Sequence, residues 1–208
     1  MHFSEVNNVK SKEFMQAMDI YLEAIPPSEQ QQIDVIKERI IVKKEQMIIG
    51  QENGKVKCMA IIYPLQGTNY VLIDYLAIKR EFRQQGIGSK LLRYIQDTYS
   101  QKGIRLIGEV EDFNYGNNQE IKKRRMLFYR RSGARVLKDV YYQMPPLQGN
   151  QPTHMMLITF NSIGEDKIDG EEIKKIIKQI YYELYNRDSD DPLLNTFINK
   201  IPSRVLLV

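Results

Sequence analysis

The chain has 208 residues, 42% of them hydrophobic and 27% charged, with a net charge of +4: a folded globular composition, long enough for one domain with a real core. A single cysteine, Cys58, excludes an internal disulfide, and with only His2 and His154 present there is no zinc cluster and no metal site to expect. The charge is too weak to argue for nucleic acid. Residues 1–14 lack the apolar stretch of a signal peptide. The longest apolar run, Cys58 to Leu65, contains a proline and falls far short of the roughly 20 residues of a membrane span. A cytoplasmic protein without membrane contact is the expectation.

Residues 2–9 read as a strand. Phe14, Met15, Met18, Ile20, Tyr21, Leu22 and Ile25 recur at mostly helical spacing over 11–25, and Pro26-Pro27 ends that helix. Ser28 followed by Gln31 is a capping-box signal for a second helix with Ile33, Ile36 and Ile40 inward. Met47–Ile49 and Val56–Tyr63 flank Asn53-Gly54, a pair suited to a tight hairpin turn. After a turn at 66–69, the run YVLIDYLAI at 70–78 is nearly all apolar, as in a central strand covered on both faces. Ile87, Leu91, Leu92, Ile95 and Tyr99 then repeat with helical period up to Gly103. A strand follows at 104–111, a loop at 112–118, a helix at 119–132, and strands at 134–144 and 154–160. From Asn161 the texture changes. Asp169 and Glu172 open a helix carrying Ile173, Ile176, Ile177, Ile180, Tyr181 and Leu184, and an acidic loop at 188–192 leads into LLNTFINKI. The order predicts a mixed α/β domain around one sheet with a helical C-terminal extension.

The densest chemical signal is Arg83-Gln84-Gln85-Gly86-Ile87-Gly88, between the buried strand and the amphipathic helix. Two glycines let a bound group approach the backbone, and the free N–H groups and dipole of a helix start favour a phosphate. The spacing fits neither GxxxxGK[ST] nor GxGxxG, whose third glycine position is Leu91 here. Taken alone, the pair of glycines is equally a helix entry without a ligand.

With its surroundings, the stretch YLAIKREFRQQGIGSKLL (75–92) resembles the acetyl-CoA signature of the GNAT superfamily of N-acetyltransferases, with Arg83, Gly86 and Gly88 at its defined positions. FYRRSGA, from Phe128 to Ala134, resembles a second region of that family. The resemblance covers about residues 2–160. It implies a GNAT fold: a mixed, mostly antiparallel sheet splayed between two parallel strands and flanked by helices. It divides the chain into an acetyltransferase domain, 1–163, and an extension, 164–208.

The resemblance also implies transfer of an acetyl group from acetyl-CoA directly to a primary amine, without a covalent enzyme intermediate. The pyrophosphate cradle would be Arg83, Gln84, Gln85, Gly86, Ile87, Gly88 and Ser89. The pantetheine arm would run along Leu76, Ala77 and Ile78, as an added strand does, with the Leu76 N–H as oxyanion donor. Tyr129 would protonate the leaving thiolate, and Asn117 would touch the cofactor. The base is open between Asp74 and Glu109. Asp74 is an acid in an apolar strand and is costly to bury without a partner; counting back by twos from Leu76 gives Asp74 and then Leu72 on one face. Glu111 and Asp112 are further candidates, and water is the alternative carrier of the proton. The alternative class is a non-catalytic acyl-CoA-binding or interaction module of the same fold.

Lys122, Lys123, Arg124, Arg125, Arg130, Arg131 and Arg135 form a basic cluster, read as a solvated helix face, with CoA phosphates or RNA as rival partners. Tyr63, Tyr70 and Tyr75 suit either an amine pocket or a sheet interior. Asn114, Asn117 and Asn118 suit turns as well as cofactor contact. The Pro26-Pro27 loop is a candidate lid, and Cys58 a small core residue. The apolar stripe of the C-terminal helix must be covered by the core, by the acceptor cleft or by a homodimer partner.

Overall fold

Alternation along the strands gives the sheet two apolar faces. On β3 (Lys55–Pro64), Cys58, Ala60 and Ile62 belong to one core, and Met59, Ile61 and Tyr63 face the other way. The structure is a computed structural model and describes residues 1–160 and 164–208. In its main sheet β1 (His2–Val6), β2 (Gln46–Glu52), β3, β4 (Tyr70–Ile78), β5 (Arg105–Glu111), β8 (Thr153–Phe160) and β6 (Arg135–Val136) lie side by side in that order, and β7 (Tyr142–Met144) also pairs with β8. Among the described strands of this sheet, β4 and β5 are the only parallel pair.

One face carries α3 (Ile87–Ser100) and α4 (Gln119–Arg131), which bury Leu91, Leu92, Ile95 and Met126 against Ile62, Val71, Ile73 and Leu106. The other carries α1 (Lys12–Ala24) and α2 (Ile33–Ile41) over β2 to β4, with Phe14, Tyr21 and Ile36 against Met47, Ile61 and Tyr75. Beside them α5 (Gly170–Tyr185) lays Ile173, Ile176, Ile177, Ile180, Tyr181 and Leu184 on Tyr63, Tyr70, Leu72, Ile107 and Leu157. Each such burial is worth about 1.5–3 kcal/mol, so the stripe of α5 is satisfied within its own chain. α6 (Pro192–Phe197) adds Leu194 and Phe197 to the same core. No described helix is long and apolar enough to cross a membrane.

Several elements differ from expectation. The strand expected at 134–144 is two short ones, because Asp139 takes a positive φ of 60° between them. The second helix starts at Ile33 with Gln32 at its N-cap and no capping side chain, so the signal read at Ser28 and Gln31 does not open it; the Ser28 side chain lies outside the described residues. A small antiparallel pair, β9 (Lys167–Asp169) with β10 (Arg204–Leu206), has no counterpart in the sequence reading. The division expected at residue 163 also lies outside the described residues.

Two irregularities in β4 prepare the site. Ile61 pairs with Tyr75 but Ile62 with Ile73, which leaves Asp74 as the extra residue of a bulge. The bulge reverses the alternation. Tyr70 and Leu72 before it and Tyr75 and Ala77 after it face α5 and α1, whereas Val71, Ile73, Leu76 and Ile78 pack toward α3. The count from Leu76 to Leu72 along one face therefore fails. Pairing of β4 with β5 runs from Tyr70–Arg105 to Ile73–Gly108 and stops. Asp74 and Glu109 are the first residues past the last pair, at the crotch of two parting strands.

Candidate active site

The turn after β4 places an anion cradle at one end of the opening. Gln84 and Gly86 take positive φ angles of 63° and 71°, and Gly86 is the N-cap of α3 without a side-chain cap. The first helical bond is Lys90 N–H to the Gly86 carbonyl, and among the described residues the N–H groups of 84–89 find no protein acceptor. Six free donors at a helix start form a natural seat for a phosphate. A Cβ on Gly88 would lie 3.3 Å from the Phe128 ring and 3.7 Å from Ile78 Cδ1, so glycine there lets α4 pack against the turn. Arg83 points its Nε at the Ile78 carbonyl, 3.0 Å away, and ties the turn to the end of β4.

From the cradle a cavity of about 470 Å³ runs between the parted strands and through the sheet. On the α3/α4 side it is lined by Ile78, Gly88, Phe128 and Tyr129, and on the α1/α5 side by Ala24, Pro26, Glu29, Met144 and Tyr185. Asp74 and Glu109 line it where the two sides meet. Beyond Ile73 the β4 edge has no β5 partner, so its inward N–H and C=O groups are open to a ligand that adds as a strand.

The two carboxylates differ in support. Glu109 accepts a hydrogen bond from the Tyr142 hydroxyl on one oxygen and from the Tyr185 hydroxyl, at 2.7 Å, on the other. Burial raises its proton affinity, and these two donors oppose the rise. Asp74 has no hydrogen bond among the described residues. Burial first, then the like charges of Glu45 and Glu109, push it well above the usual carboxylate range, against the pull of Arg39. Arg39 pairs with the buried Glu45 at 3.0 Å and donates to the Leu184 carbonyl at 2.8 Å. Burial lifts Glu45 itself to about 7. Tyr129 packs edge-on against Phe128 and Phe160, and burial raises its phenol, so it stays protonated at neutral pH.

The cavity brings together Asp74, Leu76, Ala77, Ile78, Arg83, Gln84, Gly86, Ile87, Gly88, Ser89, Glu109 and Tyr129, all expected from the sequence. It does not include Gln85, whose side chain turns back to the Glu81 carbonyl at 3.2 Å, or Asn117, which is exposed in the loop before α4. Glu111 lines it but is neutralised by Lys122, at 3.3 Å, and Arg125. Of the three tyrosines weighed for an amine pocket only Tyr75 reaches the cavity, while Tyr63 and Tyr70 are buried beneath α5. In the basic cluster Arg124 and Arg125 reach the cavity, Lys123 pairs with Glu120, and Arg135 turns to Asp166. Cys58 is fully buried, which raises its thiol to about 12. Sequence reasoning missed Glu29, Tyr142 and Tyr185. Tyr185 continues the α5 stripe four residues after Tyr181, which signals burial but no destination.

Residues 12–123 match the sequence profile of the acetyltransferase (GNAT) family. The Bacillus subtilis (strain 168) protein YjbC, provisionally named an acetyltransferase, is 23% identical over 145 residues, 70% of this chain and 69% of that protein. A solved structure from Bacteroides thetaiotaomicron, provisionally named a GNAT-family acetyltransferase, superposes with a TM-score of 0.74 at 18% identity, over 89% of this chain and 98% of that one. A GNAT-family acetyltransferase of Elizabethkingia anophelis solved with acetyl-CoA bound gives a TM-score of 0.53 at 17% identity, over 76% of this chain and 96% of the other. The matched residues take in the parting strands, the glycine turn and the start of α4, and by that match the chain belongs to the GNAT family of acetyl-CoA-dependent acetyltransferases.

Proposed function

We propose that the protein moves the acetyl group of acetyl-CoA directly to a primary amine in a ternary complex. One observation carries this reading: a single cavity lies open to both faces of the sheet, with the phosphate cradle on one side, Glu29 on the other, and Asp74 and Glu109 where the two meet. Two substrates entering from opposite faces meet at the crotch of β4 and β5. The pyrophosphate sits on the N–H groups of 84–89, and the pantetheine amides pair with the open edge of β4.

An amine arriving as its ammonium gives one proton to a carboxylate, Asp74 or Glu109, a reading supported by both lining the cavity. The nitrogen lone pair attacks the thioester carbon, and the Leu76 N–H holds the developing oxyanion. As the tetrahedral centre collapses the C–S bond breaks, the Tyr129 hydroxyl supplies the proton that the departing sulfur takes up, and the second proton that the nitrogen sheds on becoming an amide passes through water to restore the Tyr129 hydroxyl. Glu29 on the acceptor side and the carboxylates at the crotch also favour a cationic acceptor over a neutral or acidic one.

The test is thiol release from acetyl-CoA with a panel of primary amines, followed by mass analysis of the acceptor. The reading predicts amine-dependent release and a product heavier by one acetyl group. Tight acetyl-CoA binding with no release for any amine would instead favour a binding module.

A further inference from the structure

The C-terminal helix lies outside the matched family region, yet its last residue, Tyr185, lines the cavity. We propose that Tyr185 is a positioning residue: with Tyr142 it occupies both oxygens of Glu109, holds that carboxylate as an anion toward the acceptor, and leaves the unpartnered Asp74 to take the amine's proton. The proposal rests on the acetyl-transfer reading for its kinetic consequence, but not for its effect on Glu109 itself.

Two phenolic O–H donors, one on each oxygen, bind the carboxylate more strongly than the acid and so favour the anion against the pull of burial. Both donors come from residues whose rings are fixed. Tyr142 packs edge-on against Tyr181 and Phe197, and Tyr185 edge-on against Tyr181. The end of α5 is fixed as well. The Leu184 carbonyl, next to Tyr185, accepts from Arg39, and Arg39 is held by Glu45. A cation at the carbonyl end of a helix is also favoured by the helix dipole. A chain of contacts thus runs from Glu45 through Arg39 and Leu184 to Tyr185 and Glu109. It makes the extension part of the acceptor site rather than a cover over the sheet.

Around Glu109 the facing groups are Tyr142 from β7, Tyr181 and Tyr185 from α5 and Asp74 from β4. Around Asp74 they are Glu109, Glu45 before β2, Arg39 from α2, Tyr21 from α1, Tyr75 from β4 and Tyr185. The working state has both carboxylates ionised. Removing one donor from Glu109 raises its proton affinity, so the working state forms only at higher pH.

The experiment compares wild type with Tyr185→Phe, and with Tyr182→Phe, an exposed ring on the same helix, as the control. Carbon NMR of glutamate-labelled protein, with the signal assigned by Glu109→Gln, follows the Glu109 carboxyl through pH. Its midpoint should rise by about one pH unit, a tenfold gain in proton affinity, in Tyr185→Phe and stay in place in Tyr182→Phe. The acid limb of kcat/KM for the amine should move up with it, while KM for acetyl-CoA is unchanged. An unmoved Glu109 midpoint overturns the proposal. A moved midpoint in a protein that transfers acetyl to no amine upholds the positioning role and rejects the transfer reading.

Discussion

Asp74→Asn should make the protein both more stable and nearly inactive. Strands pair about 5 Å apart and these two diverge, so about 6 Å is a fair separation to take between charges on Asp74 and Glu109. At an effective dielectric of about 20, two unit charges at that distance repel by roughly 3 kcal/mol. Burial is the largest cost to the Asp74 anion, Glu45 adds to the repulsion, Arg39 opposes them, and no side-chain hydrogen bond among the described residues offsets the rest. The folded state therefore binds the Asp74 proton more tightly than the unfolded chain does. The stability tied to this group is fully present below the ordinary carboxylate pKa of about 4 and is lost as pH rises through the raised value. Asparagine keeps the shape and removes the charge. The variant should gain about 1–3 kcal/mol at pH 8, or 2–4 °C of Tm per kcal/mol for a chain of this size, and much less at pH 5. Loss of the proton acceptor should lower kcat/KM for the amine by about 10²–10⁴-fold. Thermal melts at the two pH values with steady-state kinetics check both halves. A variant less stable than wild type at pH 8, or as active as wild type, would refute the reasoning.

Tyr129→Phe should lose about 10²-fold or more in kcat with acetyl-CoA affinity unchanged, measured by kinetics and calorimetry; an unchanged kcat removes the phenol from the reaction. Gly86→Ala should lose about 1–2 kcal/mol of stability, because its φ of 71° is left-handed, with open space around the added carbon. Gly88→Val, whose Cβ alone would lie 3.3 Å from the Phe128 ring, should push α4 from the turn, costing stability and weakening acetyl-CoA binding about tenfold or more by calorimetry. Arg39→Leu should destabilise by about 3–5 kcal/mol in denaturant titrations at pH 8, and less at neutral pH and below where the buried Glu45 takes up a proton, and adding Glu45→Leu should recover most of the loss.

The cofactor side of the site was legible in the sequence because it is local. A buried strand, two spaced glycines and an amphipathic helix follow one another within residues 70–100, and the strand's ends fell where expected. Asp74 also stood out, since an acid in an apolar run needs a reason. Its geometry did not, because a one-residue bulge depends on how β3 pairs with β4, and it inverts the alternation on which the count relied. Tyr185 was beyond reach for a similar reason. Its partner lies 76 residues away in sequence, and a tyrosine on an apolar stripe reads as core. Asp139 looked compatible with a long strand until its left-handed φ divided it.

The central claim is that donor and acceptor meet at the crotch of β4 and β5 from opposite faces. A crystal structure with acetyl-CoA tests it most directly. The account predicts the pyrophosphate on the N–H groups of residues 84–89 and the thioester within reach of the Leu76 N–H and the Tyr129 hydroxyl. The open face of its carbonyl carbon should be turned to Asp74 and Glu109. Acetyl-CoA bound elsewhere, or a thioester whose open face is turned away from both carboxylates, would contradict it.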